Sequence, residues 1–129
     1  MNGKYLLDTN IVIALFANDS ALVNEIAKAH DISIPAIVIG ELFYGANKSG
    51  RPQENTRRID KFVSDNVILK CDAETARLYG EIKSNLQKKG HPIPENDIWI
   101  AATAFQYNLT LISRDKHFKA IRSLKLKKW

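Results

Sequence analysis

Short apolar segments alternate with longer segments of helical periodicity along the whole chain. Tyr5–Leu7, Ile32–Ile34, Val67–Leu69 and Thr110–Ile112 are each about the length of a short buried strand. The tail from Leu124 can supply a fifth strand. Strands that alternate with helices are typical of parallel sheets covered by helices on both faces. The sequence therefore predicts an α/β fold, a three-layer α/β/α sandwich around a mostly parallel central sheet.

The segments between these strands predict six helices. Thr9 or Asn10 can cap the first of them, and Asp72 can cap the long fifth helix. Glycine and proline in the segment 90–94 predict a loop between the last two helices. The predicted helices are Ile11–Phe16, Ser20–Ala29, Pro35 to about Lys48, Gln53–Ser64, Asp72 to about Lys88, and Glu95–Tyr107.

The length and composition limit the class of protein. The 129 residues suit a single domain covering residues 1–129, and 45% hydrophobic with 26% charged residues argues against disorder. The longest apolar stretch, Ile32–Tyr44, is too short to span a membrane and contains Glu41. Since Cys71 is the single cysteine, no internal disulfide can form, and we expect a reduced, cytoplasmic setting. The net charge of +5 favours polyanionic partners such as nucleic acid, but it also suits any soluble basic protein.

Four acidic residues occupy unusual positions. Asp8 and Asp115 follow the first and fourth predicted strands, and the carboxyl edge of a parallel sheet is where ligands bind. Asp97 lies in the first turn of a helix, where a negative charge is favourable. Glu41 lies inside a helix that is otherwise almost entirely apolar, where a charge is costly unless a cation compensates it.

Each of these acids also has a simpler explanation on its own. The three aspartates are common capping or turn residues, and Glu41 could pair with a lysine or arginine. Several carboxylates in one cleft would repel one another, however, and a divalent cation is the usual remedy. Oxygen ligands indicate Mg²⁺ or Mn²⁺ rather than zinc. The histidines show no metal-ligand spacing, and we interpret all three as surface or loop residues: His30, His91 and His117.

Four segments containing these acids resemble, in order and spacing, the motifs of the PIN-domain ribonucleases. Among these ribonucleases, the chain is most similar to the VapC-type toxins of prokaryotic toxin–antitoxin pairs. The resemblance covers nearly the whole chain. The segments are Leu7–Ile11, Glu41–Gly45, Asn96–Ala104 and Leu111–Phe118.

This resemblance implies a compact α/β/α fold, a divalent metal site with Mg²⁺ or Mn²⁺, and endonucleolytic hydrolysis of RNA phosphodiester bonds. Ser113 stands where the family more often has threonine, and Trp99 is also less usual. Both are small departures that leave the metal site intact. The family's acidic catalytic and metal-binding roles fall to Asp8, Glu41, Asp97 and Asp115, and its neighbouring polar roles to Thr9, Asn10, Asn96 and Ser113.

The resemblance also implies partners. A cognate antitoxin protein is expected, because an active cytoplasmic ribonuclease would harm its own host. A homodimer is expected as well. Five apolar residues could form a groove for a partner, although the same side chains could belong to the core: Ile11, Phe16, Leu42, Phe43 and Tyr44.

Basic residues around the acids would bind the flanking phosphates of the RNA substrate. We expect the main contacts from Arg57, Arg58, Arg114 and Lys116, although each of them also fits a merely solvated surface. Further basic residues that could contribute are Arg51, Lys61, Lys88 and Lys89.

Two other functions fit parts of the pattern. A receiver-type phosphoacceptor domain also has acids at strand ends, but here no acidic pair follows the first strand, and Glu41 lies inside an apolar helix. A non-catalytic PIN-like RNA-binding protein would not need all four acids. A nuclease assay with added Mn²⁺ would separate both alternatives from a ribonuclease.

Overall fold

The computed structural model describes residues 4–129, and its centre is one parallel sheet. The strands are β1 (Lys4–Leu7), β2 (Asp31–Pro35), β3 (Val67–Leu69), β4 (Thr110–Ile112) and β5 (Leu126–Lys127). They lie in the order β3-β2-β1-β4-β5, and every neighbouring pair is parallel. The predicted strands are confirmed, and the sheet is parallel throughout rather than mostly so.

In the described part of the chain, six α-helices and one short 3₁₀ helix connect the strands, which confirms the three-layer α/β/α architecture. Within the described range 4–129, no helix is both long and apolar enough to cross a bilayer. The helices are α1 (Thr9–Phe16), α2 (Ser20–Lys28), α3 (Ala36–Lys48), α4 (Pro52–Asp65), α5 (Ala73–Lys88), α6 (Glu95–Gln106) and the 3₁₀ helix Lys116–Ala120.

The structure corrects one cap and confirms another. Asp8, not Thr9 or Asn10, caps α1, and its carboxylate accepts the Thr9 backbone N–H at 2.8 Å. Asp72 caps α5 as predicted, in a capping box with Thr75. The 3₁₀ helix after β4 was not predicted, because five residues carry no readable periodicity.

The core contains the two central strands and the alanine-rich helix α6. Leu6 and Leu111, on β1 and β4, are fully buried, as is Ile100 on α6. Small side chains such as Ala101 and Ala102 let this helix pack closely among its neighbours. The fully buried Phe118 fixes the 3₁₀ helix to the same core.

The strand order places a crevice at one edge of the sheet. From β1 the chain adds β2 and β3 on one side, then crosses over to add β4 and β5 on the other. The carboxyl ends of β1 and β4 therefore meet where the direction of winding reverses, which is the usual ligand site of open α/β sheets. Asp8 directly follows β1, and the segment 113–115 directly follows β4.

Candidate active site

Asp8 lies buried at the junction of the two central strands, with 4% of its surface exposed. Its backbone N–H donates to the Ile112 carbonyl oxygen at 3.0 Å, which extends the pairing of β1 with β4 by one residue. The Ser113 hydroxyl donates to Asp8 Oδ2 at 2.6 Å and accepts the Asp115 backbone N–H at 2.9 Å. One buried hydroxyl thus orients the Asp8 carboxylate and the turn that carries Asp115.

Glu41 is connected to this junction through Thr9. The Thr9 hydroxyl donates to Glu41 Oε1 at 2.8 Å, which joins α1 to α3. Both residues line an open cleft of about 940 Å³ that also includes Lys70 and Asn96. Asn96 is exposed on the wall of this cleft. The remaining predicted polar residue, Asn10, accepts the Arg114 backbone N–H at 3.3 Å and so supports the turn after β4.

Asp97 and Asp115 meet at the imidazole of His117. Its Nδ1 atom lies 3.2 Å from Asp97 Oδ2 and 3.0 Å from Asp115 Oδ1. Ligand atoms of these three residues all lie within 4.8 Å of one another. His117 is exposed, as expected of a surface residue, but it also contacts two of the acids. This contact could not be predicted from spacing, because Asp97 precedes His117 by twenty residues.

The carboxylates perturb one another. The pKa of Asp97 is raised to about 6, mainly because burial desolvates its carboxylate; the nearby charges of Asp8 and Asp115 also raise it, and the His117 contact lowers it. Burial is also the largest cause that raises the pKa of Asp8, and the charges of Glu41 and Asp115 add to it. Asp8 is thus electrostatically coupled to the other three acids. Perturbed carboxyl groups of this kind are typical of functional sites.

The chemistry of the donor set fits a hard divalent cation. Among residues 4–129, no lysine or arginine forms a salt bridge with any of the four acids. Glu41 therefore does not form the lysine or arginine salt bridge that its simpler explanation required. The negative charge of the four acids is not neutralised by a salt bridge to a lysine or arginine of the described residues. Asp97 and Asp115 present oxygen atoms close enough to share one ion, which suits Mg²⁺ or Mn²⁺.

The structure distinguishes among the predicted RNA-binding residues. The Arg114 guanidinium donates to the Trp129 carbonyl oxygen at 3.0 Å and lies 3.1 Å from the Asp19 carboxylate, so it holds the fold together. Arg58 donates to the carbonyl oxygen of Phe16, the last residue of α1, and its guanidinium lies 4.5 Å from the Phe16 ring centroid. Arg57 and Lys116 are exposed.

Comparison with known proteins identifies the class. Residues 5–124 match the PIN domain family. The chain is 38% identical to Ribonuclease VapC2 of Rickettsia felis over 97% of each chain. It is 33% identical to the tRNA(fMet)-specific endonuclease VapC of Shigella flexneri over 98% of each chain. The protein therefore belongs to the PIN-domain family, within its VapC group of ribonucleases.

Solved structures agree with this assignment. The fold is similar to that in VapBC2 from Rickettsia felis bound to a DNA fragment from its promoter, with a TM-score of 0.89 and 36% identity over 97% of this chain and 98% of that one. It is also similar to VapBC-1 from nontypeable Haemophilus influenzae, with a TM-score of 0.87 and 31% identity over 97% of each chain. The receiver-domain alternative is thereby set aside.

The raised pKa of Asp97 predicts a pH-dependent stability difference between wild type and Asp97→Asn in the absence of metal. Because the folded-state pKa is about 6 and the ordinary value is 3.8, the folded protein holds this proton more tightly than the unfolded chain. Wild type therefore loses stability as the pH rises from about 4 to about 6, and the neutral asparagine does not. In thermal melts with EDTA, the melting temperature of Asp97→Asn relative to that of wild type should increase as the pH rises from about 4 to about 6. Above about pH 6, the difference between the two melting temperatures should stay constant.

The control for this experiment is Asp65→Asn, which changes an exposed carboxylate at the end of α4. Its stability difference from wild type should change much less over the same range. If wild type and Asp97→Asn show parallel pH profiles, the carboxyl group of Asp97 is not perturbed in the folded protein.

Proposed function

We propose that this chain is a metal-dependent endoribonuclease that hydrolyses RNA phosphodiester bonds in the cytoplasm, as the toxin of a toxin–antitoxin pair. One observation carries the proposal. Asp8, Asp97 and Asp115 gather where the sheet changes its winding direction, without a lysine or arginine counter-charge in residues 4–129. In a chain of the PIN-domain family, such a cluster is best explained as a site for a cation that acts on phosphate.

The acidic residues would hold the metal, and their hydrogen-bonded neighbours would keep them in position. A bound Mg²⁺ or Mn²⁺ would lower the pKa of water and offset the negative charge that develops on the phosphate. Asp97 and Asp115 offer oxygen atoms within 4.8 Å of each other. Ser113 and Thr9 fix the carboxylates of Asp8 and Glu41, which reduces the reorganisation needed during the reaction.

Transfer RNA is the first substrate class to test. Two relatives, at 33% and 30% identity, are named as tRNA(fMet)-specific endonucleases. The open cleft beside Glu41 is wide, and it offers Lys70 for phosphate and Asn96 for hydrogen bonds. Sequencing the 5′ ends of RNA fragments after induced expression would identify the RNA and the cleaved bond without assuming either.

An antitoxin and a second copy of the chain are the proposed protein partners. The similar structures include VapBC complexes. Of the apolar residues expected in a partner groove, Ile11 and Leu42 are buried, whereas Tyr44 is 66% exposed. Phe16 and Ile13 line a smaller cavity next to Glu41, between α1, α3 and α4. A partner segment on this surface would lie close to the acids and could block access to them.

Asp8→Asn tests the catalytic assignment. Asparagine preserves the shape of aspartate and can still cap α1, but a neutral amide is a poor ligand for a hard cation. We expect cleavage of RNA with Mg²⁺ or Mn²⁺ to fall by at least about 100-fold, since even outer-shell changes cost about 10–100-fold. The thermal stability of the metal-free protein should hold or rise, because one repulsive charge is lost.

The control is Asp65→Asn, purified in the same way, which should cleave like wild type. The residual activity of the Asp8→Asn preparation sets an upper limit on contaminating nuclease. Wild-type cleavage by Asp8→Asn with Mg²⁺ would remove Asp8 from the active site.

The double variant Arg57→Ala/Arg58→Ala tests the RNA-binding surface. Phosphate contacts release counterions, and single-stranded nucleic acid gives a log–log salt slope of about −0.7 per contact. The double variant should weaken binding and flatten the slope by roughly one unit or more, while saturating turnover stays near wild type. Binding is measured in the Asp8→Asn background, so that the RNA stays intact.

A charge-matched control comes from Lys28 and Lys125, which lie just before β2 and β5 at the opposite, amino edge of the sheet. Lys28→Ala/Lys125→Ala removes the same charge and should leave the slope nearly unchanged. The two single variants separate the contributions of the two arginines, because the Arg58 guanidinium donates to the Phe16 carbonyl oxygen and that of Arg57 does not. An unchanged slope in the Arg57/Arg58 double variant would remove α4 from the RNA-binding surface.

Induced expression of the chain without a partner tests the toxin role. Wild type should arrest growth of a bacterial host, and Asp97→Asn should not, because arrest depends on RNA cleavage. Protein levels are compared by immunoblot. Normal growth at a level of wild-type protein that matches the variant would count against the toxin role, even if the purified enzyme cleaves RNA.

A further inference from the structure

The imidazole of His117 faces the same point in space as two of the acids. Nδ1 lies 3.0 Å from Asp115 Oδ1 and 3.2 Å from Asp97 Oδ2. A ring nitrogen carries either one N–H or one lone pair, so it cannot form two well-directed hydrogen bonds to two carboxylates at once. A single N–H therefore satisfies at most one of the two carboxylates well, whereas a lone pair on Nδ1 would leave all three groups as ligand atoms for a cation.

The two distances from Nδ1 match the spacing of neighbouring ligands on one ion, and all three ligand atoms lie within 4.8 Å of one another. In octahedral coordination with metal–ligand distances of about 2.1 Å, adjacent ligand atoms are about 3 Å apart. Both distances from Nδ1 are close to this value. A cation placed among the three atoms would receive one lone pair from each.

The local fold holds His117 in this orientation. Asp115 caps the 3₁₀ helix, and its carboxylate accepts the His117 backbone N–H at 2.9 Å. The next residue, Phe118, is fully buried and anchors the turn. The exposure of His117 leaves its other ring nitrogen free to carry the proton and bond to water.

We propose that His117 is a direct ligand of the catalytic metal and that its nitrogen makes the site prefer Mn²⁺ to Mg²⁺. This inference rests on the proposed metal-dependent function. An imidazole nitrogen binds first-row transition-metal ions well, whereas Mg²⁺ prefers oxygen ligands. The spacing of the acids in the sequence does not predict that His117 is a ligand. The role of His117 follows from the position of the 3₁₀ helix, which brings its imidazole next to Asp97 and Asp115.

Electron spin-echo spectroscopy of Mn²⁺ bound to the purified protein tests the proposal without an activity measurement. Wild type should show a ¹⁴N coupling typical of directly bound imidazole, and His117→Ala should lose it. His91→Ala is the matched control, because His91 is also exposed but lies in the loop between α5 and α6; it should keep the coupling. Thermal melts check that both variants are folded.

Titration with Mn²⁺, followed by the signal of the free ion, measures the affinity. His117→Ala should raise the Mn²⁺ dissociation constant by about 10-fold or more. The Mg²⁺ dissociation constant, measured by competition, should change less, so that the preference for Mn²⁺ falls. An equal loss for both ions would overturn the proposed preference.

The outcomes separate this inference from the proposed function. Mn²⁺ bound to wild type without ¹⁴N coupling, or a coupling that persists in His117→Ala, overturns the role of His117 and leaves the metal-dependent nuclease standing. Failure of wild type to bind Mn²⁺ or Mg²⁺ at all contradicts both.

Discussion

The hydrogen bond from the Ser113 hydroxyl to the buried carboxylate of Asp8 joins the ends of the two central strands, and the site depends on it. It requires β1 and β4 to pair in the observed register, with Leu7 opposite Ile112. A shift of one residue would turn Asp8 to the other face of the sheet. The same hydroxyl also holds the backbone of Asp115, so the fold and the geometry of the acids are determined together.

The carboxylates at the junction of β1 and β4 repel one another electrostatically. Asp8 and Asp97 both have raised pKa values because they are buried beside other carboxylates. The salt bridges elsewhere involve exposed or half-exposed groups, such as Arg77 with Glu74 and Glu81 on α5. The lysines and arginines that form salt bridges within residues 4–129 thus pair with acids outside the cluster, and none of them pairs with the four acids of the site.

Much of the fold was predictable because short apolar runs between helical segments leave few arrangements other than a parallel sheet. The positions of Asp8 and Asp115 at strand ends were likewise readable. The cap of α1 was predicted wrongly, because capping by Asp8 was considered only as an alternative to a role in the site, whereas Asp8 both caps the helix and is coupled to the other acids. One carboxylate can do both, since it has two oxygen atoms.

The contacts that the sequence could not predict are those between distant segments. The bond between Thr9 and Glu41 spans 32 residues, and the contact between Asp97 and His117 spans 20. Neither has a local periodicity to signal it. Both arise only when the crossovers bring α1, α3, α6 and the 3₁₀ helix to the same edge of the sheet.

Anomalous diffraction from crystals grown with Mn²⁺ would show whether the acids at the junction of β1 and β4 bind a divalent cation, as we propose. We expect an anomalous peak between the carboxylates of Asp97 and Asp115, on the side of Asp8, that disappears in Asp97→Asn crystals. Well-ordered Mn²⁺-grown crystals with no peak there, or with Mn²⁺ only at other acidic residues, would contradict this proposal.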